Sequence, residues 1–180
     1  MSEMSKKTKA NLYLLFIPTV FCSYLFHEFG HWIVGEVLGN DMYYSLNYVW
    51  PESGSYIAPD HNLYVSIGGP AFTIILSLIG FIIIELYDSL YAYPIVFSQF
   101  VIRFFSLAFG GFSNQDEARI ANILDVGTFI VPIIVLVILL SLTIRSSIKL
   151  KIDLKTNCYF YAVAVFSQLI LIATYEFFGI

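Results

Sequence analysis

Leu12 to Phe26 (LYLLFIPTVFCSYLF) runs without a charge into His27-Glu28-Phe29-Gly30-His31, and Trp32, Ile33, Val34, Val37 and Leu38 extend the apolar character beyond it. A helix crosses a bilayer with about 20 apolar residues, so this stretch reads as a membrane helix with a polar pentapeptide set inside it. Helical residues four apart stand on one face, one turn apart. His27 and His31 therefore project toward a single point, and H-E-x-x-H at that spacing is a metal-binding pattern. Glu28 then sits beside the metal, close enough to take a proton from a bound water. The competing reading is two histidines that merely pack helices. It is the weaker one, because imidazole and carboxylate groups are costly in hydrocarbon and rarely occur there without a function.

Composition agrees with the membrane reading. At 58% hydrophobic and 12% charged residues, the chain cannot be an ordinary soluble domain. Its mean hydropathy of +0.78 points the same way. A net charge of -4 with no basic stripe excludes nucleic acid as a partner and leaves the lipid bilayer. No internal repeat or detachable soluble unit is visible, so residues 1–180 form one membrane-embedded core. Cys22 and Cys158 fall at different depths and read as packing residues rather than a disulfide. Lys6, Lys7 and Lys9 before an apolar run resemble a signal peptide, but no small-residue cleavage site follows, so the run reads as an uncleaved first span.

The expected fold is an all-α polytopic membrane protein of about five transmembrane helices, with a short β-hairpin after the first. The spans are drawn at 11–38, 63–86, 91–112, 118–144 and 158–177. Pro18 is a kink site in the first, and Gly39-Asn40-Asp41 stops it. Met42 to Trp50, a turn at Pro51-Glu52-Ser53-Gly54 and Ser55-Tyr56-Ile57 read as the hairpin, in an aromatic stretch that also suits a membrane interface. Gly68-Gly69-Pro70 opens the second span with residues that allow close helix contact. Arg103, buried in the third, needs a partner, with Glu85, Asp125 or the active site as candidates. Gly68, Gly69, Pro70 and Arg103 are candidate substrate contacts.

The basic residues set an orientation. Lysines precede the first span, and Arg145, Lys149, Lys151 and Lys155 fill the loop before the fifth. The positive-inside rule puts both on the cytoplasmic side, giving a multi-pass protein with a cytoplasmic N-terminus. His27 to His31, Gly68 to Pro70 and Asp116 then approach the opposite side in one layer. His61, the third histidine, reads as an interfacial residue rather than a ligand.

Three motifs resemble those of the site-2 protease group of intramembrane zinc metalloproteases. They are His27-Glu28-Phe29-Gly30-His31, Gly68-Gly69-Pro70 before an apolar helix, and Asp116-Glu117-Ala118-Arg119, which is similar to the group's D-G-G-R. They touch four of the five spans, and the fifth carries no match. The Asn/Pro-rich lead-in usual before the last motif is absent, and Glu117 and Ala118 stand where the group has glycines. The resemblance implies that His27, His31 and Asp116 hold Zn²⁺ and that Glu28 is the general base. Asp125 is the rival third ligand. It lies 9 residues on and faces the opposite way on a continuous helix, so the two acids cannot share one metal.

The function so implied is hydrolysis of a peptide bond in a membrane-protein substrate by metal-activated water. Because a helical substrate hides its carbonyls, a segment must unwind, and an edge strand of the hairpin can capture it. The alternative is a catalytically silent relative that binds or escorts membrane partners. Retention of Glu28 favours the enzyme, since a pure binder has no need of it. Metal transport is a third reading, weakened by the few His and acidic residues along the spans.

Overall fold

The computed structural model describes residues 6–46 and 48–178. Lys6–Val37 is a single helix, α1, of 32 residues that continues through Pro18. At 1.5 Å per residue it is about 48 Å long, longer than the hydrocarbon core. Helix α2 spans His61–Tyr87, α3 spans Tyr93–Phe109, α4 is the short Asp116–Ile123, α5 spans Ile130–Lys149 and α6 spans Leu154–Phe178. All but α4 are long and apolar enough to cross a membrane, α3 together with the 3-10 turn Leu90–Ala92 that leads into it, which makes this a membrane protein by its helices. Central α1 packs against α2, α3 and α6, while α5 packs against α2, α3 and α4.

The predicted fourth span is two helices. α4 ends where Val126 N–H donates to Ala121 O and Asp125 N–H to Asn122 O. Asp125 carries the left-handed φ of 55°. This pair of bonds around one left-handed residue is a Schellman cap. The same cap ends α1 at Gly39 and α5 at Lys151, with Asn40 N–H on Gly35 O and Ile152 N–H on Ser147 O. Gly39 announced itself in the sequence; Asp125 and Lys151 did not, because Lys rarely takes a positive φ and Asp, which tolerates one, has many commoner uses.

The hairpin is present, but it turns earlier than expected. Strand β1 (Met42–Tyr44) pairs antiparallel with β2 (Val49–Pro51), Tyr43 opposite Trp50. The turn is therefore 45–48, of which Asn47 lies outside the described residues. Pro51–Gly54 forms a separate turn closed by Gly54 N–H on Pro51 O. The sheet lies on α1 at Gly35, where a Cβ would meet the Met42 side chain at 2.5 Å.

The packed core occupies the N-terminal end of α1. Leu12, Phe16 and Val20, four residues apart, are fully buried. Phe16 meets Phe160 of α6 at 5.1 Å and Phe97 of α3 at 5.7 Å between ring centroids. Glu85 with Arg145 and Asp88 with Lys149 tie α2 to α5 at this same end.

Candidate metal centre

One turn beyond that core, the same side of α1 turns polar. His27, Glu28 and His31 are all buried. Asp116, the first residue of α4, brings a carboxylate to both rings: its Oδ2 lies 3.1 Å from His27 Nε2 and 3.3 Å from His31 Nε2, and the two Nε2 atoms are 3.2 Å apart. The three donor atoms thus form a nearly equilateral triangle. A tetrahedral ion held at about 2.0–2.1 Å needs donors about 3.3–3.4 Å apart, so His27, His31 and Asp116 fit a metal ion.

Each ligand is oriented from behind. His31 Nδ1 lies 2.6 Å from Val65 O. A carbonyl only accepts, so Nδ1 carries the proton and Nε2 keeps its lone pair. Gly69 N–H, 3.3 Å from the same Nδ1, is then a close approach rather than a hydrogen bond. His27 Nδ1 lies 2.9 Å from Thr73 Oγ1, a hydroxyl that accepts when Nδ1 carries the proton and so suits a His27 that offers Nε2 to a metal ion. Asp116 Oδ1 accepts from Arg119, turning Oδ2 toward the histidines. Burial alone raises the Asp116 carboxyl, but the two histidines outweigh it and hold the group well below the usual carboxylate range. Such partners of ligating groups fix tautomer and ring orientation.

Gly68, Gly69 and Pro70, expected as substrate contacts, lie behind the histidines and off the cavity wall. Gly30 and Gly68 bring α1 and α2 together backbone to backbone, where a Cβ on Gly30 would stand 2.5 Å from Gly68 O. A Cβ on Gly69 would reach His27 Cε1 at 2.6 Å and run into the His31 ring. These small residues make room for the two imidazoles.

Arg103 finds its partner in none of the residues expected outside the site. Glu85 pairs with Arg145, and Asp125 is exposed at the α4 cap. Arg103 Nη1 instead reaches both oxygens of Glu117 at 3.4 Å and lies 4.0 Å from Asp116 Oδ2. Its Nη2 is 3.2 and 3.0 Å from the two ring nitrogens of His27. Near-equal distances to both place it over the ring rather than in line with either lone pair. A buried Arg–Glu pair thus anchors α4 to α3 and positions Asp116. Asp125, the rival ligand, belongs to no metal-holding group among the described residues. His61 bonds Asn40 at 3.1 Å and likewise stays outside.

The donors and Glu28 share a cavity of about 460 Å³, walled also by Trp50 and Tyr56 from the hairpin side and by Gln168 of α6. Thr73, Glu117, Arg119 and Gln168 were given no role from sequence. Two of them had an available signal: a buried Arg in the third span calls for an acid and Glu117 adjoins the proposed ligand, while Arg119 closes the Asp-x-x-Arg motif three residues after Asp116. No family model, curated protein or solved structure matches the chain.

Proposed function

We propose that the protein is an intramembrane zinc metalloprotease that hydrolyses a peptide bond of a membrane-protein substrate. The reading is carried by one observation: the triangle of His27, His31 and Asp116 shares a buried cavity with Glu28. Two imidazoles and a carboxylate are a zinc donor set, and the ion supplies Lewis-acid polarisation of the attacking water and the scissile carbonyl. Glu28 accepts the proton of that water and returns it to the leaving amine. Val65 and Thr73 hold the rings, and Arg119 and the Arg103–Glu117 pair hold Asp116.

The substrate must reach Glu28 as an extended segment. Ser45 N–H donates to Tyr48 O and Glu52 N–H to Asp41 O. Bonded pairs alternate along an antiparallel ladder, so Trp50 is used by Tyr43 while Val49 N–H and C=O and Pro51 C=O face outward. This edge of β2 borders the cavity and adds the substrate as a third strand. Lys9 and Lys155 both act on Asp153, so the basic groups cluster at one end of the bundle. The positive-inside rule assigns that end to the cytoplasm and the site to the opposite half of the bilayer.

The test is purified wild-type and Glu28→Gln protein in vesicles, compared by zinc content and by loss of intact membrane proteins from cells expressing each. Glu28→Gln keeps the wild-type zinc content and loses about 10²–10⁴-fold in hydrolysis. Full activity in Glu28→Gln would falsify the mechanism.

A further inference from the structure

α6 carries none of the motifs that marked the site, yet it walls the cavity with Gln168 and Ile172. Gln168 is 1% exposed. Its Nε2 donates to the Tyr24 hydroxyl at 2.7 Å, and its Oε1 is buried with no hydrogen-bond partner among the described residues. Leaving a buried acceptor unmatched costs about 1–3 kcal/mol. A Phe at 24 and a Leu at 168 would join α1 to α6 without that cost, so helix packing does not account for the amide.

Its position does. Tyr24 and Glu28 are four residues apart on α1 and share a face. The Tyr24 hydroxyl therefore holds Gln168 one turn from the general base, on the side away from Gly39. A peptide strand added to β2 directs alternate N–H and C=O groups to β2 and the rest away from it. In a membrane those outward groups have no water and need protein partners.

We propose that Gln168 is a substrate-binding residue whose Oε1 accepts a backbone N–H of an extended apolar peptide lying in the cavity. The terminal torsion of Gln is soft, so a small turn brings Oε1 to the bound peptide. The inference rests on the peptidase reading and adds to it a subsite one turn from Glu28, supplied by the fifth membrane helix.

The probe is a set of extended apolar peptide hydroxamates whose backbone amides are replaced one at a time by esters. Each ester removes one N–H donor and keeps the chain length. Dissociation constants are measured on zinc-loaded full-length protein in phospholipid nanodiscs. In the wild type, esters at the positions that face β2 weaken binding, and so does one at a position that faces away from it, there about tenfold. In Gln168→Met that position costs less than about twofold, the value expected when the wall no longer accepts. Tyr24→Phe lowers the ester penalty only in part, because the hydroxyl positions the amide but does not itself accept from the peptide. Should Gln168→Met fail to fold, Gln168→Asn, which keeps the amide but shortens its reach, loses the same dependence. Hydroxamates that bind, with equal ester penalties in wild type and variant, overturn the assignment of Gln168 alone. No hydroxamate binding to the zinc-loaded wild type overturns the peptidase reading and this inference together.

Discussion

The two halves of α1 use one helix face in opposite ways. From Leu12 through Phe16 to Val20 the face is apolar, fully buried and filled by rings from α3 and α6. From Tyr24 to His31 it is polar, still buried, and borders a cavity of about 460 Å³. In lipid the first half gains little from hydrophobicity, since acyl chains are as apolar as Leu, and holds by close packing. The second half cannot close up, because its imidazoles are tied to Val65 and Thr73 and its third donor to Arg119. One half holds the helices together; the other keeps a polar space open between them.

Separate substitutions should divide those roles cleanly. Asp116→Asn should strip the metal and with it all hydrolysis, while the helices remain folded around Phe16. Phe16→Ala should do the reverse: zinc content unchanged, melting temperature lowered. Its cost is about 1–3 kcal/mol, below the roughly 3–5 of a soluble core, because the unfolded reference is lipid rather than water. Metal analysis and thermal denaturation of both variants in one detergent decide the matter. Zinc lost with Phe16→Ala would show that the halves are coupled.

The packed half was legible in the sequence because apolar runs of membrane length leave little choice, and four of the five spans lie close to where hydropathy draws them, while the fourth begins only at Ile130. His27, Glu28 and His31 were legible because two histidines and a glutamate in a metal-binding pattern fall within five residues of one helix. Asp116 required resemblance, since an acid at the start of a short helix has an ordinary explanation as a charge at a helix N-terminus. The parts that were not legible depend on side chains meeting across helices. Nothing near Thr73 in the sequence points to His27, 46 positions away. Glu117 meets Arg103 from the first turn of α4, a short helix capped at Asp125. A continuous fourth span, as drawn from hydropathy, hides that cap.

Thr73 offers the next test, smaller in size. It touches His27 from behind and no metal. Removing its hydroxyl while keeping its volume should loosen the ring without deleting a ligand. Thr73→Val should weaken zinc binding about 10–100-fold, the usual effect of losing a ligand's partner. Competition with a zinc chelator measures it. Unchanged affinity would mean that Val65 and Asp116 alone fix the geometry.

The smallest expected effect bears on the third ligand. Asp125 is exposed and holds a φ of 55° at the cap of α4. Its backbone matters there and its carboxylate does not, for it has no place beside Arg103 or the histidines. Asn tolerates the left-handed region as readily as Asp, and Gly more readily still. Asp125→Asn should therefore leave zinc content, hydrolysis and melting temperature at wild-type values. Asp125→Gly should be neutral or stabilising by up to about 1 kcal/mol. Asp125→Val should be destabilising, because a β-branched residue strains at positive φ. That order, Gly at or above Asn and both above Val, is the signature of a helix cap. Zinc loss in Asp125→Asn with zinc retained in Asp116→Asn would instead give the third coordination position to Asp125, and α4 would have to run on past its cap to bring it there.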